Sequence, residues 1–325
     1  MKRTFILLSL SLSLLLMACE PLQTPPAESE LEAKELIVTE TPIEATEAPP
    51  EESETAVATV RPSATPMPTN LPIPSPEIEI NPGEMVEMAG GSFMMGCNAE
   101  NNGGSLCPES ELPYHEVVLS PYMIDRFLVT NGQYQECVET GACKAPRSEG
   151  SRTRETYFSN PDYALYPVIF INYDDAKGFC EWAGKRLPTE AEWEMAARSA
   201  TDSLYPWGNE APDCSVANSY NDANLSACAG DTTMVGSYQA GATADGVMDM
   251  AGNVWEWVAD YYSVDYYANS PLENPQGPES GVENVVRGAG WTGKWRTLKN
   301  SYRAYDLSFY SGNDLGFRCA ISSMQ

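Results

Sequence analysis

The sequence contains very little histidine and comparatively few basic residues. Its 325 residues include one histidine, His115, and 19 lysines and arginines against 46 aspartates and glutamates, which gives a formal net charge of −27 at pH 7. A single histidine excludes a metal site built from several imidazoles, and it leaves a nucleophile–base triad without a base unless His115 serves. We interpret His115, in the strand-like YHEVVL, as structural. We expect no nucleic-acid partner.

Long apolar runs are absent except at the N-terminus. Met1-Lys2-Arg3 precede an apolar run from Phe5 to Met17, which is too short for a permanent transmembrane helix and is typical of an export signal. The run ends in LMAC at residues 16–19, which resembles the lipobox of bacterial lipoproteins. This resemblance implies a lipoprotein signal peptide at residues 1–18, a lipidated Cys19 and a lipid-anchored, extracytoplasmic place in the bacterial cell envelope. The alternative is an ordinary secretory signal that happens to contain a cysteine.

The segment that follows has almost nothing to bury. Residues 20–84 contain thirteen prolines, eight threonines and fourteen glutamates against two basic residues. Such a composition cannot offset its ordering entropy by packing, so we predict a disordered Pro/Thr/Glu-rich tether at residues 19–84. The folded domain is then predicted at residues 85–325.

Cysteine is unevenly distributed. There is no CxxC pair, which argues against a zinc site, and no cysteine lies between Cys228 and Cys319. Eight cysteines remain after Cys19, and an even number in an exported chain indicates disulfides, although spacing alone cannot choose the pairing. The shortest loops favour three pairs and leave a fourth: Cys97–Cys107, Cys137–Cys143 and Cys214–Cys228, with Cys180 left to Cys319.

Regular secondary structure is predicted mainly before residue 200. Residues 85–96, MVEMAGGSFMMG, predict a short hairpin at the Gly-Gly pair, and residues 115–130 predict strands. Capping boxes predict a helix from Thr130 to about Glu139 and another that begins at Thr189. Helical spacing of apolar residues predicts a further helix that ends at Gly184. Beyond Ala200 glycines and loops dominate, and we expect sparse regular structure there.

Five short segments, in a fixed order along the chain, resemble the motifs of a known family. They are GKRLPTEAEWEMAAR (184–198), YPWGN (205–209), DMAGNVWEWVADYY (249–262), VVRGAGW (285–291) and LGFRCA (315–320). Together they resemble the sulfatase-modifying-factor family, whose best-known member is the formylglycine-generating enzyme, from about Met85 to Ser322. The resemblance implies an α+β fold, a C-type lectin variant with little regular secondary structure, stapled by disulfides. Its buried disulfide between the middle helix and the GFRC strand matches Cys180 and Cys319.

The resemblance also implies structural calcium. Its calcium site at the GNxWEW motif corresponds to four residues here: Asp249, Gly252, Val254 and Glu256. The glycine and the valine would bind through carbonyl oxygens, which suits the six to eight oxygen ligands that Ca²⁺ takes. The alternative is that Asp249 and Glu256 are a loop cap and an exposed acid. A second site would use Asn218 and the Ser219 carbonyl, with Asp231 as a guess for the downstream ligand.

The resemblance stops at the family's catalytic chemistry. The formylglycine-generating enzyme uses two nearby cysteines to bind copper(I), react with a substrate cysteine and activate oxygen, and copper(I) requires soft thiolates. The corresponding segment here, GAGWTGKWRTLKNSYRAYDLS at residues 288–308, contains no cysteine. We therefore expect no copper. The three-histidine iron site of the relatives that make sulfoxides is excluded by the single histidine.

A basic, aromatic segment occupies the place of the missing cysteines. Residues 287–303, RGAGWTGKWRTLKNSYR, contain five basic residues and three large aromatic residues but no carboxylate. These residue types dominate recognition hot spots, so we predict a ligand-binding surface. Its residues are Trp291, Lys294, Trp295, Arg296, Lys299, Tyr305, Phe309 and Tyr310. The alternative is that Trp291 and Tyr302 belong to the core and that Arg303 lies in a buried ion pair.

Three functional hypotheses follow, of which the third is a purely structural role in an envelope complex that uses the same surface and differs only in its partner. The first is a membrane-anchored, non-catalytic domain, stabilised by calcium, that binds an extracytoplasmic protein, peptide or glycan. The second is an enzyme, either a formylglycine-generating-type oxidoreductase that works without the copper cysteines or a maturation enzyme for exported proteins. The missing cysteine pair favours the first hypothesis.

Overall fold

The computed structural model describes residues 80–222 and 225–323. The predicted signal peptide, Cys19 and nearly all of the predicted tether lie outside these residues. Packing begins before the predicted boundary at Met85, because Ile80 packs against a buried cluster and Glu84 forms an ion pair with Arg126 at 2.8 Å. In the described part of the chain, no helix is long and apolar enough to cross a membrane.

Among the residues that the structure describes, three helices of nine or ten residues form where capping boxes and apolar spacing predict them, and a fourth helix has a single turn. The helices are α1 (Asn131–Glu139), α2 (Tyr173–Trp182), α3 (Glu190–Arg198) and the single-turn α4 (Tyr266–Asn269). Thr130 and Thr189 both form complete capping boxes with the residue three positions later, which confirms the predicted starts of α1 and α3. Gly184 has a positive φ of 72°, a conformation that glycine adopts without strain, just after α2 ends.

Within residues 80–222 and 225–323, eleven short strands form four small sheets. The strands are β1 (Met85–Met88), β2 (Gly91–Met95), β3 (His115–Leu119), β4 (Tyr122–Asp125), β5 (Tyr220–Asn221), β6 (Ser226–Ala227), β7 (Trp255–Tyr261), β8 (Glu283–Arg287), β9 (Ala304–Leu307), β10 (Leu315–Phe317) and β11 (Ala320–Ser322). The largest sheet has the order β10-β7-β8-β9, and a second has the order β1-β4-β11. The pairs β2-β3 and β5-β6 complete the set.

The predicted hairpin at residues 85–96 is wrong. Both of its strands form, but β1 pairs with β4 and β2 pairs with β3, so the two belong to different sheets. Gly90 and Gly91 have positive φ, and a Cβ on Gly90 would lie 2.4 Å from the Leu119 carbonyl oxygen. The glycine pair therefore moves the chain from one sheet to the next, a turn that local sequence cannot distinguish from a hairpin.

Regular structure after Ala200 is sparse, as expected, but it includes the largest sheet. The four-stranded sheet lies entirely in this region, although long loops separate its strands. One strand, β7, is seven residues long and pairs with β8 on one side and, in parallel, with β10 on the other. This sheet supports the surface on which the predicted binding residues lie.

All four predicted disulfides are present. The bonds are Cys97–Cys107, Cys137–Cys143, Cys180–Cys319 and Cys214–Cys228. Cys180 on α2 and Cys319 after β10 are fully buried in one apolar cluster, together with Phe179, Trp257 and Phe317. The longest disulfide loop therefore closes inside the core and joins α2 to the sheet.

Candidate functional site

The fold divides the basic segment 287–303 into buried and exposed cations. Arg287, at the end of β8, is fully buried, and its guanidinium donates to Glu190 Oε1 at 2.8 Å and to Glu194 Oε2 at 2.7 Å. Arg303 is buried as well and donates to both carboxylate oxygens of Glu190, at 2.7 and 2.9 Å. These two arginines hold α3 against the sheet. The alternative interpretation of Arg303 as a buried ion-pair residue is confirmed.

Aromatic rings and a further arginine complete this buried ion network. The guanidinium carbon of Arg287 lies 5.0 Å from the Trp193 ring, and that of Arg303 lies 4.1 Å from the Tyr267 ring. Burial by itself would raise the pKa of Glu194, but Arg198 and Arg287 outweigh it, and the net pKa is lowered. Glu194 is therefore held ionised inside the core.

Two of the eight predicted binding residues lie behind the surface. Trp291 is 4% exposed and donates from Nε1 to the Asn313 carbonyl at 3.4 Å. Lys299 is 5% exposed and its ammonium donates to the Asn102 carbonyl and to Ser105 Oγ. Burial lowers the pKa of Lys299. These side chains support the surface and are not open contacts, as the alternative interpretation held for Trp291.

Five of the other six residues line two neighbouring cavities. The larger cavity, of about 580 Å³, is lined by Lys294, Trp295 and Arg296. The smaller one, of about 220 Å³, is lined by Tyr305 and Tyr310. Phe309 is 64% exposed nearby but does not line either cavity. The structure thus brings most of the predicted surface into one cleft.

Trp255 joins the two cavities, and the sequence analysis missed it. Its side chain lines both of them, and its backbone N–H donates to the Asp314 carbonyl at 2.6 Å. Trp257, two residues further along β7, is fully buried and donates to the Ile171 carbonyl at 3.0 Å. The sequence motif WEW contains both tryptophans but does not distinguish them. The packing shows that Trp255 is half-buried and lines the cleft, whereas Trp257 lies in the core.

Glu111 is a second residue that the sequence analysis missed. It lines a third cavity, of about 240 Å³, together with Arg296, Lys299 and the half-buried Tyr302. Its carboxylate accepts from Ser301 Oγ at 2.7 Å, and burial raises its pKa to about 7. No sequence pattern indicates this position, because a single-turn 3₁₀ helix at residues 109–111 brings it to this third cavity.

His115 is structural in its surroundings. Its Nδ1 faces the Pro113 carbonyl oxygen at 2.8 Å, and its ring packs against Tyr267 with 4.8 Å between centroids. The other ring nitrogen, Nε2, is buried without a hydrogen-bond partner among the described residues.

The predicted calcium ligands Asp249 and Glu256 lie in one buried region. Arg318 binds Glu256 through two hydrogen bonds, of 2.6 and 2.9 Å, so Glu256 is already paired with a cation. Asp249 accepts from the Gly236 N–H at 2.7 Å, and burial raises its pKa to about 6, opposed by this bond and by Arg318. The described residues contain no cluster of three or more acidic, histidine or cysteine residues suited to a metal.

The second predicted calcium set contains an unsatisfied oxygen. Asn218 Oδ1 is buried and has no hydrogen-bond partner in the described part of the chain, while its amide nitrogen donates to the Asp231 carbonyl at 2.8 Å. The Ser219 carbonyl accepts from the Cys228 N–H. The Asp231 carboxylate accepts from Ser151 and from Thr153, at 2.6 to 2.8 Å, so it anchors that loop. Its role as a ligand stays a prediction.

Comparison with known families assigns the fold. The profile of the sulfatase-modifying factor enzyme 1-like domain matches residues 72–323. The chain belongs to this family. Membership confirms the predicted fold class, and the match begins before the predicted boundary at Met85, in line with the packing of Ile80.

Relatives of known name include enzymes of different activities. The formylglycine-generating enzyme of Streptomyces coelicolor is 33% identical over 315 residues, which cover 76% of this chain and 95% of that protein. The serine/threonine-protein kinase pkn1 of Chlamydia pneumoniae is 36% identical over 250 residues, which cover 73% of this chain but only 38% of the kinase. Among solved structures, PvdO from Pseudomonas aeruginosa has a TM-score of 0.62 at 28% identity and covers 74% of this chain and 94% of its own.

The residues of the cleft do not fit the copper(I) centre of the formylglycine-generating enzyme. All eight cysteines of the described domain are joined in disulfides, and none lies in the segment that forms the larger cavity. Copper(I) is held by soft sulfur donors, and the tryptophan, lysine and arginine side chains found here do not replace them. Family membership therefore assigns the fold without assigning that reaction.

Proposed function

We propose that this domain is a non-catalytic binding module that captures an extracytoplasmic protein or peptide in the cleft around Trp255. The observation that supports it is the exchange of thiolates for aromatic and cationic side chains at the cleft. Its larger cavity, at about 580 Å³, lies within the ~300–1,000 Å³ typical of ligand pockets. The proposal includes display in the bacterial envelope by lipid on Cys19, and a Cys19→Ser chain that still fractionates with membranes would contradict that part.

Contacts between aromatic rings and cations order the side chains at the larger cavity. The Trp295 ring lies 5.0 Å from the guanidinium carbon of Arg296 and 5.2 Å from the ammonium of Lys299. Lys294 lies 5.3 Å from the Tyr220 ring. Rigid aromatic anchors next to directional donors lose little conformational entropy when a partner binds, which is why such residues carry most of the affinity at interfaces.

Binding should therefore depend on Trp295 and Arg296. We expect the double variant Trp295→Ala, Arg296→Ala to lose a partner that the unmodified chain retains from an envelope extract, because truncating a hot-spot residue costs about 2 kcal/mol or more. The measurement is affinity capture followed by mass spectrometry. The matched control is Trp182→Ala, Lys177→Ala on α2, which removes an exposed tryptophan and an exposed cation elsewhere. Equal capture by both double variants would contradict the proposal.

The alternative function is a formylglycine-generating-type oxidoreductase or a maturation enzyme. The observation in its favour is 33% identity with the Streptomyces coelicolor enzyme over nearly its whole length. The two functions differ in one assay, in which the chain is incubated with copper(I), oxygen and a Cys-x-Pro-x-Arg peptide. Conversion of the peptide cysteine above the background of a heat-denatured sample would favour the enzyme and exclude the binding-only proposal.

A structural calcium ion at Asp249 is part of the proposal. Asp249 and Glu256 are buried acids, and Arg318 forms an ion pair with Glu256 only. A bound cation would neutralise the remaining negative charge of Asp249. The carbonyls of Gly252 and Val254 would add neutral oxygens. Asn218 Oδ1, which has no partner among the described residues, would serve a second ion.

Removal of calcium should then lower the melting temperature. An ion at a hundred times its dissociation constant stabilises by about 2.7 kcal/mol, which corresponds to roughly 5–10 °C for a domain of this size. The measurement is calorimetry in calcium and in the chelator EGTA. Asp249→Asn, the isosteric control, should lose less of its melting temperature in EGTA than the unmodified chain, because only the second ion at Asn218 would remain to be removed. Identical melting of the unmodified chain in calcium and in EGTA would exclude the site.

A further inference from the structure

The cleft carries opposite charges on the two sides of Trp255. On the side of the larger cavity lie Lys294 and Arg296, and neither forms an ion pair within the described residues. On the side of the smaller cavity lie Asp306 and Asp314, which also have no cationic partner in the described part of the chain. Asp222 also lines the larger cavity, where its carboxylate accepts from the Trp295 N–H at 3.3 Å. The larger cavity therefore carries two cations and one carboxylate, and the smaller cavity carries two carboxylates.

The surroundings of Asp306 and Asp314 disfavour the ionised form of both carboxyl groups. Partial burial raises the pKa of Asp306, and burial followed by the charge of Asp306 raises the pKa of Asp314. Each has a hydrogen-bond donor nearby: Asp306 accepts from the Leu307 N–H at 2.8 Å, and Thr292 lies within hydrogen-bonding reach of Asp314. Neutral donors do not supply the positive charge that two desolvated carboxylates lack.

Aromatic rings enclose the same carboxylates. Trp255, Tyr305 and Tyr310 line the smaller cavity, and Tyr305 stacks on Tyr262 with 4.2 Å between centroids. The faces of aromatic rings attract organic cations, and the attraction strengthens when water is excluded. At about 220 Å³ the cavity lies below the size of an ordinary small-molecule pocket, so it suits one side chain and not a whole ligand.

From this arrangement we infer that the ligand is a peptide segment that places a basic side chain between Asp306 and Asp314 and an acidic side chain between Lys294 and Arg296. Trp255 packs against the apolar part of the chain that links the two charges. The inference deepens the proposed binding function and rests on it, because it names the chemistry that the cleft selects. A peptide fits better than a single small molecule, since each cavity receives its own side chain.

The opposite placement of charges also excludes the wrong ligands. A peptide with acidic groups at both ends would bring a carboxylate against Asp306 and Asp314, and a peptide with two basic groups would meet Lys294 and Arg296. Like charges brought together at close range oppose binding, so the cleft disfavours both kinds of peptide. The net charge of −27 does not by itself produce this selectivity, because exposed charges further than about 10 Å away are largely screened by salt.

The test is a set of double-mutant cycles with synthetic peptides and the full chain. The probes are acetyl-Arg-(Ala)n-Glu-amide peptides of increasing spacer length in both chain directions. Their partners replace arginine by citrulline or glutamate by glutamine. The protein variants are Asp306→Asn with Asp314→Asn, and Lys294→Gln with Arg296→Gln. The control, Asp174→Asn with Lys177→Gln, removes one charge of each sign from exposed positions on α2.

We expect a peptide of at least one spacer length to bind, and we expect each protein variant to weaken only the peptide whose charge it was facing. The aspartate variant should weaken the arginine peptide about tenfold and leave the citrulline peptide unchanged, and the lysine-arginine variant should do the same for glutamate against glutamine. The control variant should have no effect. Equal losses for charged and neutral peptides, or no binding at any spacing, would overturn the inference.

Failure here is distinguishable from failure of the proposed function. Suppose that Trp295→Ala, Arg296→Ala abolishes capture of an envelope partner while neither double-mutant cycle shows a difference in affinity between charged and neutral peptides. The binding function then stands, and only the inferred charge arrangement is wrong. If capture does not depend on Trp295 and Arg296, the binding function fails whatever the peptides do.

Discussion

Replacement of Cys180 and Cys319 by alanine should lower the free energy of unfolding by about 5 kcal/mol in the chain-entropy description of disulfides. The bond closes a loop with a sequence separation of 139 residues, so its loss returns the most freedom to the unfolded chain. Both cysteines are fully buried, and the loss of their packing adds to the effect. The measurement is equilibrium denaturation in urea without reductant.

The short disulfide provides the matched control for this prediction. Cys137 and Cys143 are separated by six residues, and their replacement by alanine should cost only about 2 kcal/mol. Since natural domains are stable by about 5–15 kcal/mol, the first variant should approach or reach global unfolding at 37 °C and the second should not. Equal losses in the two variants would show that loop length does not govern the contribution of these bonds.

Glu190→Gln should destabilise the domain by about 3–5 kcal/mol, because it removes the carboxylate that pairs with the buried Arg303 and leaves that guanidinium uncompensated. Glu190 is 1% exposed and accepts from both Arg287 and Arg303. Glutamine keeps the size of the side chain but turns an amide N–H₂ toward a guanidinium. The measurement is again the free energy of unfolding in urea.

An exposed ion pair gives the reference for Glu190→Gln. Glu181 lies 3.9 Å from Lys177 on the surface of α2, and Glu181→Gln should change stability by less than about 0.5 kcal/mol. The ratio between the two substitutions measures burial, since the chemical change is identical. A small loss for Glu190→Gln would mean that the network of α3 and the sheet is not held together by this carboxylate.

The helices and disulfides were predictable because their signals are local. Thr130 and Thr189 specify helix starts through residues three positions away, and the short cysteine loops favour three disulfides. The fourth disulfide followed from what remained and from the resemblance to the family. Strand pairing was not predictable, because β1 and β2 are adjacent in sequence yet pair with β4 and β3.

The cleft was predictable only in outline. The basic, aromatic segment correctly pointed to the region, but its composition could not separate Arg287 and Arg303, which are buried, from Lys294 and Arg296, which are exposed. Their partners explain why: Glu190 is 97 residues from Arg287 in sequence. Asp306 and Asp314 were passed over for a similar reason, since their significance depends on the aromatic rings around them.

The sequence by itself determined the family, the disulfide-linked frame, the helix starts and the absence of thiolates in the segment that forms the cleft, because each depends on residue identity or on spacing over a few positions. Only the tertiary structure decided which cations are buried against α3, that Trp255 lines both cavities, and that two cations lie on one side of it and two carboxylates on the other. Those properties depend on contacts between segments distant along the chain, where burial and the sum of neighbouring charges set the energy of each side chain.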